Sequence, residues 1–180
     1  MQLAVGFVER VLRAGQAVAL GIAQGPVEVA RARVHLLEIY QIEKDWDRAI
    51  RAAREIEGET GESRQREIAQ FHCELATRAL ASSEAGAARE HAEAALRANR
   101  KAVRANIILG ELEMAAGRPA EALEFWRRIE SQDAPSLALA AGRIMEAYRA
   151  LGRPRDGLVL LTGYLERYPA LDILDLVFDI

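Results

Sequence analysis

The feature that most constrains this 180-residue chain is a pattern of large and small residues that recurs with a period close to 34. The clearest copy runs Leu109-Gly110, Gly117, Ala122, Trp126 and Ile129, with Pro135 just beyond. It reads as a large-small pair on one helix, a glycine turn, and a small-large-large face on a second helix. Thirty-five residues later the frame returns as Ile144-Met145, Tyr148, Gly152, Gly157, Leu161 and Tyr164, closed by Pro169. Thirty-four residues earlier it reads Leu75-Ala76, Ala79, Ala88, Ala92 and Ala95, and a further 39 back Leu36-Leu37, Tyr40, Ala49, Ala53 and Ile56. A period of this length belongs to helix pairs too thin to bury their own apolar faces, which must stack on their neighbours.

The pattern is that of the tetratricopeptide repeat, and it predicts an all-α right-handed solenoid of antiparallel helix pairs. Two such helices approach closely only where one side of the contact is small, so Ala49, Ala88, Ala122 and Gly157 mark the crossing points. Gly117 and Gly152 stand where a first helix ends and a positive φ is wanted. Pro119 and Pro154 follow at the first turn of the next helix, where a missing N–H costs little. Helices are expected at about 28–43, 46–57, 64–81, 84–98, 102–116, 119–131, 136–151 and 154–167. The 39-residue step places extra residues near Gly58, Gly61 and Ser63, with Ser63 and Glu67 opening the next helix. Residues 34–180 thus form an array of about four units and a terminal helix, whose Leu171, Leu174 and Phe178 face caps the last pair or meets a partner. Residues 1–33 match the frame poorly and suggest one or two further helices within 1–27.

Composition agrees with this reading and removes several functions. Thirty-four alanines against five prolines favour helix throughout. A formal net charge of −3 lacks the basic excess that nucleic-acid backbones require. The longest uncharged stretch, between Arg13 and Glu28, has fourteen residues interrupted by Gly15, Gly21, Gly25 and Pro26, against the roughly 20 that a spanning helix needs. One cysteine, Cys73, and three histidines cannot supply a four-ligand structural metal site, so no metal or cofactor is expected. His72 and Cys73 are neighbours, which on a helix turns their side chains about 100° apart and prevents a thiol-imidazole pair. Cys73 then acts as a small apolar residue in or beside the packed face. His35 falls at a helix-helix seam, and His91 stands in solvent among Arg89, Glu90 and Glu93. Glu55, Glu57, Glu59 and Glu62 form a solvated connector with no calcium-loop spacing. No catalytic residue is assigned.

What such a fold offers is a surface. First helices line a concave groove, and the frame puts on it Glu38 and Gln41, then Gln70, Cys73 and Thr77, then Arg104, Ile107, Glu111 and Met114, then Gly142, Arg143, Glu146 and Arg149. Apolar groups for affinity and charge for register suit a peptide or helix ligand. Arg104, Arg143 and Arg149 are expected to be exposed and to pack against nothing.

Several runs are more specific than the repeat. Leu36-Leu37-Glu38-Ile39-Tyr40-Gln41 with Asp45-Trp46-Asp47-Arg48-Ala49-Ile50, then Arg66 to Ala76, then Ile129-Glu130-Ser131-Gln132-Asp133, closely resemble the cytoplasmic repeat region of the lipopolysaccharide assembly protein B family over about residues 34–180. The resemblance implies a non-catalytic adaptor on the cytoplasmic face of a bacterial inner membrane. It would present the committing deacetylase of lipid A synthesis to a membrane-bound AAA+ protease. Family members carry an N-terminal membrane anchor and a C-terminal rubredoxin-like module with two Cys-x-x-Cys pairs. Neither pattern occurs in this sequence, so the chain is expected to be a middle portion or a truncated member, with self-association through its ends a further expectation. The alternative is a generic peptide-binding or chaperone-like repeat module unrelated to envelope assembly.

Overall fold

The computed structural model describes residues 26–171, 173 and 174. Eight α-helices and one 3₁₀-helix follow one another among them: α1 (Pro26–Ile42), α2 (Trp46–Thr60), α3 (Gln65–Ala81), α4 (Ala85–Ala98), α5 (Val103–Ala115), α6 (Pro119–Gln132), the 3₁₀-helix (Ala134–Ala140), α7 (Ala141–Ala150) and α8 (Pro154–Leu165). This is the expected all-α arrangement, with boundaries within a few residues of those read from the repeat. The helices expected within 1–27 fall almost wholly outside the described residues, as does Phe178. Within α3 the chain divides into two compact units, one ending at Leu75 and the other beginning at Ala76.

The four turns that join the helices of a pair share one geometry. In each, a residue in the left-handed region closes the first helix, and the next N–H reaches back five residues. Asp45 N donates to Tyr40 O at 2.8 Å, Glu84 N to Ala79 O at 2.8 Å, Arg118 N to Glu113 O at 2.9 Å and Arg153 N to Tyr148 O at 2.8 Å. These are the long bonds of a Schellman motif. Gly117 and Gly152 hold φ of 73° and 70° as the sequence predicts, but the same place is taken in the earlier pairs by Lys44 (56°) and Ser83 (61°). Asp45 then caps α2, its Oδ1 accepting from Arg48 N at 3.1 Å. The longer second connection follows Gly61, whose φ of 70° ends α2. Ser63 is exposed and does not cap α3: the first bond of that helix runs from Ile68 N to Arg64 O.

The crossing points are as small as the repeat demands. Ala49, Ala88 and Ala122 are fully buried, and Gly157 is buried too. A Cβ on Gly157 would stand 2.8 Å from Met145 Sδ, and one on Gly110 only 2.1 Å from Trp126 Nε1. Trp126 cannot retreat, because it is 1% exposed and its indole N–H is held by Ile107 O at 3.2 Å. In the second unit it joins Leu109, Ile129, Leu137, Ile144, Met145, Leu161 and Tyr164 in the core. The first unit is built on Leu37, Ile50, Ile56, Ile68 and Leu75, with Trp46 stacked on Phe71 at 5.8 Å.

Three expectations are corrected. The helix read at 136–151 begins as a 3₁₀-helix and becomes α-helical only at Ala141. Tyr164, folded over it, donates its hydroxyl to the carbonyls of Ala134 and Pro135, at 2.8 and 3.1 Å, and those are the acceptors that the first α-helical bonds would use. Burial raises the Tyr164 pKa above its ordinary 10.0, which keeps the hydroxyl a donor. At the C-terminal end Ile173 enters the core with no exposure, while Leu171 is 80% exposed and Leu174 is also turned out. Of the two roles expected of that face only capping is corrected: Ile173, beside Tyr168 and Ala170 packed on the same core, takes the place expected of Leu171 and Leu174. His35 lies in solvent, bonded to Glu38 at 3.3 Å, and not at a seam.

Two tests follow from these contacts. Gly110→Ala should cost about 1–3 kcal/mol through overpacking against Trp126, read as a lower chemical-denaturation midpoint; an unchanged midpoint would mean that the indole has room to move. Ser83→Gly should gain about 0.5 kcal/mol, since relief of left-handed strain exceeds the added freedom of the unfolded chain, while Gly117→Ala should lose about 1 kcal/mol. Thermal melts of the two variants should therefore shift in opposite directions.

Candidate protein-binding cleft

The first helices of the first unit, α1 and the start of α3, wall a cleft of about 550 Å³. Val34, Leu37 and Phe71 form its apolar part, and Glu38, Gln41, Arg64, Arg66, Glu67 and Gln70 its polar edge. Leu37 and Phe71 are almost fully buried, and Trp46 stacked behind Phe71 fixes the ring. Glu38, Gln41 and Gln70, all predicted for the groove, are exposed and brought together here. Glu38 and Gln41, three positions apart on α1, share one face, and the repeat frame puts Gln70 on the equivalent face of α3. Arg64 is bound by both oxygens of Glu67, at 2.9 and 3.1 Å. The supposedly solvated acidic connector steadies the same wall: Glu57 accepts from Gln65 Nε2 at 2.7 Å and from Arg64 N at 3.4 Å. Glu55 and Glu59 both pair with Arg33 of α1.

In the second unit the predicted groove residues do something different. Arg104 donates to Thr77 Oγ1 at 3.0 Å, and Arg143 pairs with Glu111 at 2.6 Å, each bond joining neighbouring first helices. Ile107 and Met114 are half-buried and packed on the core. The expectation that Arg104 and Arg143 pack against nothing is therefore wrong, and Arg143 also donates to Leu139 O at 3.0 Å. Glu146 and Arg149 remain exposed, and Gly142 is half-buried. Cys73 is 2% exposed and faces the core, not the groove. His91 is half-buried.

Glu113 was missed by sequence reasoning. It is 5% exposed near the end of α5 and accepts Arg118 Nε and Arg89 Nη2, both at 2.5 Å. The Arg118 bond, with Arg89 beside it, holds the carboxyl below the ordinary 4.5 against the opposing effect of burial. The signal was present, since an acid at a core-facing position of α5 needs cations from elsewhere, but only the fold brings in Arg89 from α4. A lowered folded pKa means stability that is present above about pH 4.5 and is lost as pH falls through the folded value. Glu113→Gln should cost roughly 1–2 kcal/mol at pH 7, at the low end because both guanidinium groups keep solvent. Its deficit against the unaltered chain should narrow as pH falls below 4.5 through the folded value, which urea titrations across that range would measure.

Among the described residues no group of His, Cys, Asp and Glu could hold a metal ion, and no helix is long and apolar enough to cross a membrane.

The chain is 31% identical to lipopolysaccharide assembly protein B of Escherichia coli strain K12 over 146 residues, 81% of its own length. The protein of strain O157:H7 matches equally. The chain resembles lipopolysaccharide assembly protein B over those residues. It spans 37% of the length of those curated relatives. No family model matches it. Among solved structures, MamA superposes with a TM-score of 0.54 at 17% identity, covering 92% of this chain and 84% of that one. YrrB, a tetratricopeptide protein described as having an unusual peptide-binding site, superposes with a TM-score of 0.56 at 14% identity, covering 99% and 87%. The likeness to both establishes the tetratricopeptide fold.

Proposed function

We propose that the chain is a non-catalytic protein-binding scaffold, and that the cleft between α1 and α3 takes a segment of the bound protein. The observation that carries this is the cleft itself: an apolar floor, edged by polar groups on two rigid helices, is the composition of a specific interface. The peptide-binding site named for YrrB supports the reading. By its relationship to lipopolysaccharide assembly protein B, the chain acts as an adaptor at the cytoplasmic face of the inner membrane. There it presents the lipid A pathway deacetylase to a membrane AAA+ protease. In the second unit Glu146 and Arg149 stay exposed and offer a contact surface of their own, while Arg104, Glu111 and Arg143 hold the repeats together.

Purified deacetylase and protease, each titrated with the chain in a calorimeter, test the adaptor role. At least one should bind without being degraded. Gln70→Trp, which fills the cleft from an exposed position, should weaken that binding about tenfold. Unchanged binding by this variant would move the contact elsewhere, and binding of neither protein would favour the generic peptide-binding module.

A further inference from the structure

The two walls of the cleft differ in how their charges are satisfied. Arg64, just before α3, and Glu67 in its first turn neutralise each other. Glu38 on α1 accepts from His35 at 3.3 Å, and Gln70 donates to Glu74 at 3.1 Å. Arg66 is exposed at the edge of the cleft and makes no hydrogen bond or ion pair with any described residue. It is the ionic group of the cleft left without a partner there, and its planar fork fits a carboxylate with two parallel bonds.

We propose that the cleft selects protein segments in which an apolar side chain stands beside an aspartate or glutamate. The apolar group lies on Val34, Leu37 and Phe71, and the carboxylate pairs with Arg66. This rests on the reading of the cleft as a protein-binding site and adds the chemistry of its ligand. A lysine in the acidic position is repelled by Arg66, and at Glu38 it shares an exposed carboxylate that already accepts from His35. An acidic side chain meets a cation that no described residue already holds. Contact between the apolar group and the floor brings the ion pair beside low-dielectric protein, where it is stronger than on an open surface.

The test uses three capped peptides, acetyl-Gly-Ser-Leu-Asp-Ser-Gly-amide and its counterparts with Asn or Lys in place of Asp, titrated at low salt into the isotopically labelled chain and followed by NMR. The Asp peptide should shift the amides of Gln41, Arg66 and Gln70 and bind about fivefold more tightly than the Lys peptide, as attraction replaces repulsion at one exposed pair. The preference should fall with added salt, vanish in Arg66→Gln and reverse in Arg66→Glu. Since Arg66 is exposed and unpaired among the described residues, neither variant should alter the dispersion of the spectrum. If the Lys or Asn peptide binds in the cleft as tightly as the Asp peptide, the charge selection is overturned and the cleft remains a protein-binding site. If no peptide shifts cleft amides at millimolar concentration, both readings are overturned.

Discussion

The close approach of paired helices at Ala49, Ala88, Ala122 and Gly157 is the contact on which the rest of the structure depends. Each of these residues is buried so completely that its neighbour's bulk fills the space a larger side chain would need. Packing in a protein interior is dense enough that one added methyl group is felt. With the small residues in place, the large ones beside them gain their burial: Ile56 beside Ala53, Trp126 beside Ala122, and Leu161 and Tyr164 beyond Gly157. Full burial of an Ile, Leu or Phe side chain contributes about 1.5–3 kcal/mol. A thin helix pair therefore becomes stable by combining small and large positions in a strict order.

The turn between the helices follows from the same requirement. Antiparallel helices that touch must reverse the chain within a few residues, and the Schellman geometry does so while satisfying the last carbonyls of the first helix. It calls for one residue in the left-handed region. Two turns supply a glycine, and two tolerate Lys44 and Ser83. Strain of this kind is small beside the burial that the turn permits.

Polar groups divide their work between the two units. In the second unit Glu113, Glu111 and Asn106 tie helices together: Asn106 donates to Gln132 at 2.8 Å, which in turn donates to Arg100 O at 2.5 Å. In the first unit the polar residues on the equivalent faces border a cleft. An ion pair between successive first helices occupies the surface that a ligand would use, so the same residue types serve stability in one place and recognition in the other.

The order of large and small residues, the glycines at two turns and the prolines after them determined the helix-pair fold, because such local periodicity survives only where a repeated packing contact demands it. Helix positions three apart also put Glu38 and Gln41 on one face, and the repeat frame assigned Gln70 to the equivalent face of the next first helix. Tertiary structure alone decided which groove residues stay available. Arg143 meets Glu111 from 32 positions away, Glu113 meets Arg89 from 24, and the hydroxyl of Tyr164 shapes a helix 30 residues earlier. No local pattern encodes such pairings, since a long polar side chain on a helix surface looks the same in sequence whether it faces water or a partner. The phase of the last turn, with Ile173 inward and Leu171 outward, was hidden for a similar reason: several apolar residues compete for one site, and the shape of the core chooses among them.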